Sequence, residues 1–200
     1  MSRKLITIIG AVVIIGLLVL IVVMSSVSAY NKMVKYDEGI NEAWSQVENV
    51  YQRRADLIPN LVNTVKGYAE YEQETLTQVI EARSKATSVN VSAENLNEET
   101  LAKFQEAQQG LSSALSRLLV VVEKYPDLKA NQGFLDLQAQ LEGTENRIAT
   151  ERRRFNEVTR EFNTYIRKFP NNIFAGWYNF DQRPYFKADE GADKAPEVKF

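Results

Sequence analysis

Residues 134–169 read FLDLQAQLEGTENRIATERRRFNEVTREFNTYIRKF. Phe134, Leu141, Ile148, Phe155, Phe162 and Phe169 stand seven apart in this stretch. A large apolar residue at every seventh position keeps one stripe of a helix facing a partner helix, with shallow, coiled-coil-like crossings. The row three residues later holds Leu137, Thr144, Glu151, Val158 and Tyr165, so two polar residues interrupt the middle of the seam. Pro170 stops the pattern.

Upstream, Phe104, Leu111, Leu118 and Tyr125 repeat at the same spacing, with Leu101, Leu115 and Val122 as a companion row. The short turn at Pro126 makes these two helices antiparallel neighbours. Residues 87–97 are rich in Ser, Asn and Thr and read as a loop. Before that loop lies an apolar stripe at steps of three and four, from Met33 through Ile40, Trp44, Val47, Tyr51, Ile58, Leu61 and Val65 to Val79, which predicts a first helix over residues 30–86.

Leu5–Met24 carries no charge. Such a run makes roughly 30 Å of helix, the thickness of a bilayer's hydrocarbon core. Val27-Ser28-Ala29 resembles a cleavage site, but the run exceeds the roughly 7–15 apolar residues of a signal peptide, so a retained single-pass anchor is expected. Arg3 and Lys4 precede the run and Lys32 and Lys35 follow it. The positive-inside rule then leans toward a cytoplasmic amino terminus in the inner membrane and an extracytoplasmic domain.

The expected architecture is therefore all-α. A transmembrane helix (1–29) continues into an antiparallel three-helix bundle (30–186), with helices over 30–86, 95–125 and 131–169. A C-terminal clasp follows (170–186), then a disordered tail (187–200). The clasp contains Phe174, Trp177, Phe180, Tyr185 and Phe186 together with Gly176 and Pro184. That mixture predicts a non-helical segment folding back as an aromatic cap.

Composition narrows the chemistry. There is no cysteine and no histidine, and the formal charge is −2. Disulfides, cysteine–metal sites and histidine acid–base chemistry are excluded, and nothing attracts nucleic acid over long range. A di-iron bundle uses Glu-x-x-His pairs, which cannot exist here. Arg152-Arg153-Arg154 is interleaved with Glu145, Glu151, Glu157 and Glu161 and reads as a self-neutralised face. No cofactor and no catalytic or metal-ligating set is expected.

Pro59 sits inside the first apolar stripe, which keeps phase on both sides of it. A mid-helix proline leaves the carbonyl four residues back, that of Ala55, without its donor and kinks the helix. Arg53 or Arg54 would supply the donor, and Asp56 stands three after Arg53, within pairing distance on one face. Two arrangements fit these charges. Either the kink serves packing and the charges are solvated, or an arginine faces Glu145 or Glu151 in a buried polar layer that fixes helix register.

At ~1.5 Å per residue the predicted second helix is too short to return to the bilayer. The stripe of Ile40, Trp44, Val47 and Tyr51 would then lack an intramolecular partner and form an interface.

The densest motifs are Ala43-Trp44-Ser45-Gln46-Val47, the run Arg53 to Val62 (RRADLIPNLV) and Val65-Lys66-Gly67-Tyr68-Ala69. With Tyr30-Asn31, Thr144-Glu145-Asn146-Arg147-Ile148, Phe155-Asn156, Phe162-Asn163 and Pro184-Tyr185-Phe186, they closely resemble the LemA family of bacterial membrane proteins across nearly all of residues 30–186. Where many members have His-Glu, this chain has Tyr71-Glu72. The resemblance implies a membrane-anchored helical domain and offers no catalytic residues to transfer. Family genes often neighbour those of membrane peptidases and TPM-domain proteins, so either is an expected partner. The function expected is a non-enzymatic scaffold or adaptor that self-assembles at the lipid bilayer. The rival is a carboxylate-based metal-binding or enzymatic bundle.

Overall fold

The computed structural model describes the backbone of residues 3–69 and 72–187, with side chains from Ile8 onward. Among these residues every regular element is a helix: α1 (Arg3–Lys66), α2 (Gln73–Ser88), a 3-10 turn (Ala93–Asn95), α3 (Glu98–Val122), α4 (Pro126–Lys129), α5 (Gln132–Arg167) and α6 (Asn171–Tyr178). The all-α expectation holds. The expected disordered tail lies outside the described residues except for Lys187, whose Nζ donates to Glu98 at 2.9 Å.

The predicted helix over 30–86 is in fact two helices. Lys66 ends α1, and the amides of Tyr68 and Ala69 both turn back onto the Val65 carbonyl, at 3.0 and 2.9 Å. A basic residue in the last turn followed by glycine is a helix stop, here Lys66-Gly67. Beyond the turn the Tyr125 hydroxyl donates to Glu72 at 3.0 Å. This extra reversal inverts the direction of every later helix relative to the expectation.

The described residues pack as two units, those of Met1–Gly39 with Arg160–Gln182 and those of Ile40–Thr159 with Arg183–Phe200. In the second unit the contacts give the helix directions. Trp44 meets Phe155 and Arg54 meets Glu145, so α1 and α5 are antiparallel. Trp44 and Tyr51 meet Phe104 while Arg54 meets Ser112, so α1 and α3 are parallel. Arg83 reaches Ala55 and Val91 reaches Trp44, so α2 runs against α1. The result is an up-down-up-down set of four helices. Its core contains Ile58, Leu61, Val65, Val79, Leu111, Leu118, Phe134 and Leu141.

The heptad positions Phe134, Leu141, Ile148, Phe155 and Phe162 are all buried. Phe169 is 81% exposed because α5 ends at Arg167, before it.

Ile40, Trp44, Val47 and Tyr51 are not an exposed interface stripe: all four are buried within the chain, at 0, 0, 0 and 7% exposure. The additional reversal brings α5 back along α1, and the C-terminal segment also returns. Trp44 is enclosed by Phe104 at 5.4 Å and Phe155 at 5.7 Å, with Phe186 stacked on it at 6.0 Å. Its indole N–H donates to the Val91 carbonyl at 2.8 Å. Phe186 is held by a two-way bond with Asn156. Its amide donates to Asn156 Oδ1 at 2.8 Å, and Asn156 Nδ2 donates to its carbonyl at 3.0 Å.

In the first unit α1 lies against the end of α5 and against α6. Every described side chain from Ile8 to Ser25 is exposed, and cover begins at Ser26, Ala29 and Met33. Tyr36 meets Tyr165 at 5.3 Å, and Tyr30 meets Tyr178 at 4.8 Å. The clasp expectation needs correction here, since Asn171–Tyr178 is a helix. Gly176 only weakens a helix. The stop is Asn179, which takes the left-handed conformation at φ 57° while the Phe180 amide closes on Ala175 at 2.9 Å. Phe174 is buried and Phe180 half-buried; Trp177 is 64% and Tyr185 41% exposed. Of the five expected cap residues, only Phe174 and Phe186 are therefore fully inserted.

Phe186→Ala should lower stability by about 3–4 kcal/mol, the range for truncating a buried aromatic ring. Trp177→Ala should cost about 1 kcal/mol or less, since it loses mainly a ring pair with Phe174. Thermal melting of the full chain in detergent compares them, and equal losses would contradict this placement of the two rings.

Candidate functional site

The polar centre of the second unit forms around Pro59 and Arg54. α1 continues through Pro59. Proline has no N–H, so the Ala55 carbonyl loses its helical donor. Arg83 of α2 supplies one, with Nε donating to that carbonyl at 2.7 Å. Neither Arg53 nor Arg54, the expected donors, does so. Arg53 points to solvent, and Asp56 accepts from Gln52 Nε2 at 2.8 Å rather than from Arg53.

Arg54 turns inward and is 1% exposed. Nη1 donates to Glu145 Oε1 at 2.7 Å and to Ser112 Oγ at 2.8 Å. Nη2 donates to Gln108 Oε1 at 2.6 Å and to the Gln108 carbonyl at 3.3 Å. Gln108 Nε2 passes the network to the Ala86 carbonyl at 3.2 Å. The guanidinium also lies over the Tyr51 ring at 5.1 Å, a cation–π contact. One arginine therefore joins α1, α2, α3 and α5.

Of the two acids expected to face an arginine, Glu145 does and Glu151 does not. Glu151 is half-buried, and its Oε2 has no hydrogen-bond partner. Glu145 is 46% exposed at its side chain, so the ion pair has a wet end. Beside it a groove of about 510 Å³ runs between Leu115, Leu119, Gln138 and Leu141.

Elsewhere on α1, burial pushes the Glu48 carboxyl above the usual carboxylate range, with the Trp44 indole opposing. Such a group binds its proton more readily folded than unfolded. Its contribution therefore favours the fold as pH falls through the raised pKa and is lost as pH rises. Among the described residues no group of three or more His, Cys, Asp and Glu side chains is placed to hold a metal ion.

Sequence reasoning missed Gln108, Ser112 and Arg83. Gln108 had a signal. The row Leu101, Leu115, Val122 has a gap at 108, and a polar residue filling a heptad gap marks a buried partner. Arg83 had none, because a continuous helix over 30–86 would hold it far from Ala55.

Arg83→Met should cost about 1.5–3 kcal/mol, the worth of a charge-assisted hydrogen bond to a buried carbonyl. In a Pro59→Ala background, residue 59 regains an N–H for Ala55, and the same change should cost much less. Denaturant melts of the four proteins give the coupling; additive losses would separate Arg83 from the proline.

Arg54→Lys should destabilise by about 1–3 kcal/mol, because a single ammonium cannot serve Gln108 and Glu145 together. Arg54→Met should be at least as costly, as it strands Gln108 among buried neighbours. Unchanged melting of both variants would show that the layer carries no stability.

Residues 43–200 match the family model for the LemA family. The chain is similar to Protein LemA of Metamycoplasma hominis, at 25% identity over 160 residues, covering 80% of this chain and 69% of that one. It is also similar to Magnetosome protein MamQ 2 of Paramagnetospirillum magneticum, at 27% identity over 181 residues, covering 82% and 66%. Magnetosome protein MamQ of Magnetospirillum gryphiswaldense shares 25% over the same length, with the same coverage. The chain thus spans about two thirds of the length of these relatives. With the motifs and the family model in agreement, the chain belongs to the LemA family.

Proposed function

We propose that this chain is a non-enzymatic scaffold or adaptor, anchored in the cytoplasmic membrane, that presents a helical surface to other membrane proteins. The anchor rests on the opening part of α1, which is long and apolar enough to cross a membrane and is exposed throughout its described length. The observation that carries the scaffold role is the Arg54 layer. The most deeply buried charge in the described residues makes its hydrogen bonds to α3 and α5, and through Gln108 to α2. Its chemistry is spent on holding helices together, which favours a shaped surface over a reaction centre.

Partner and assembly are part of the same proposal. The chain self-associates in the bilayer and engages a membrane peptidase or a TPM-domain protein, with the bundle outside the cytoplasm. Burial of Ile40, Trp44, Val47 and Tyr51 means that self-association uses another face.

Gentle solubilisation of native membranes, with the tagged full chain as bait, should recover a multimer with a defined membrane-protein partner. Protease added to spheroplasts should remove the bundle. A lone monomer by light scattering, with stoichiometric bound metal in the purified protein, would instead favour the metal-binding rival.

A further inference from the structure

We propose that α6 is a second membrane contact, lying in the headgroup layer with Phe169, Ile173 and Trp177 turned toward lipid. The inference rests on α1 being the anchor, and it concerns only the unit that contains α1's opening residues.

Three observations carry it. First, α6 is two-faced. Phe174 and Ala175 are buried, whereas Ile173 and Trp177, four residues apart, are 42 and 64% exposed. Phe169, in the turn just before α6, is 81% exposed. Large apolar side chains this open to solvent, grouped along one short element, mark a contact surface.

Second, the level of α6 along α1 is fixed. The Tyr178 hydroxyl and Ser26 Oγ are hydrogen-bonded at 2.6 Å. Ser26 is also where protein cover of α1 begins, after an exposed apolar run that ends at Met24. If that run fills the hydrocarbon core, Ser26 stands ~3 Å beyond its edge, at ~1.5 Å of rise per residue. The open face of α6 is then continuous with the lipid-facing surface of α1.

Third, the surrounding chemistry is that of a membrane interface. Tyr30, Trp177 and Tyr178 belong to the ring types that favour the headgroup layer. Arg167 and Lys168 immediately precede Phe169, Lys32 and Lys35 stand on α1, and all four are exposed. Basic side chains flanking an apolar face suit anionic headgroups. A second copy of the chain would explain the apolar face, but not its level at the end of the anchor or its basic border.

Tryptophan fluorescence tests this directly. The chain has two tryptophans, and Trp44 is fully buried among rings and serves as the silent reference. The full-length protein is reconstituted into vesicles of mixed zwitterionic and anionic phospholipid brominated near the top of the acyl chains. The expected result is loss of the Trp177 share of emission relative to unbrominated vesicles, with no loss in Trp177→Phe. Iodide, present on both sides of the membrane, should leave Trp177 largely unquenched. If iodide reaches Trp177 and bromine does not, the face is solvated and the proposal fails. If neither reaches it, protein covers the face, a second copy included, and the proposal also fails. Flotation of Ile173→Asp/Trp177→Asp protein with vesicles reports the α1 anchor separately, so loss of the anchor and loss of the α6 contact are told apart.

Discussion

A guanidinium taken out of water needs hydrogen-bond partners in exchange, and Arg54, almost wholly out of water, finds them at both Nη1 and Nη2 while its Nε has none. The penalty for an uncompensated buried ion is several kcal/mol, comparable with the whole stability of a typical domain. Its acceptors sit on two other helices at one level: Gln108 and Ser112 on α3, Glu145 on α5. Sliding either helix by a single residue would move an acceptor away, whereas the apolar seam tolerates small shifts. The Arg54 layer therefore selects the register and the heptads provide the adhesion. The exposed half of Glu145 reduces the penalty, because water can solvate the carboxylate from outside.

Pro59 adds a constraint of the same kind one turn further on. By denying Ala55 its partner it leaves a carbonyl that only a side chain from elsewhere can satisfy, and Arg83 arrives from α2. α2 is short, and its buried residues are Leu76, Val79 and Ala86. Its place beside α1 is set as much by that bond, and by the bond from Gln108 to Ala86, as by Leu76 and Val79. A helix defect is thereby converted into a docking instruction.

Helix type was legible in the long elements because periodicity survives in sequence. The rows at Phe134, Leu141, Ile148, Phe155 and Phe162 named the buried face of α5, and an arginine facing Glu145 or Glu151 was one of two arrangements, with the choice between Arg53 and Arg54 and between the two acids left undecided. Helix count was not legible, because the stripe keeps phase across Lys66-Gly67-Tyr68 and periodicity is blind to a reversal that preserves it. That one miss propagated. With one turn too few, α5 pointed the wrong way and Trp44 looked bare. Which carbonyl Arg83 meets, or which ring Phe186 covers, depends on three-dimensional neighbours with no fixed sequence spacing. The helical nature of α6 was hidden by Gly176, since eight residues are too few for periodicity to outweigh a breaker.

The placement of Phe186 over Trp44 also has a consequence for biosynthesis. Roughly 140 residues separate the two, and at ~5–20 residues per second the first must wait on the order of ten seconds for the second. Phe155, the other late partner, is only slightly earlier. For that interval the nascent chain carries an indole that only Val91 and Phe104, among its partners, can reach, with its flanking aliphatic face, Ile40 and Val47 included, while its apolar amino-terminal run is already available for membrane insertion. The growing polypeptide is thus most vulnerable to mispairing next to the segment that is first committed to the bilayer. Chaperoning or translational pacing would matter more for this chain than its small size suggests.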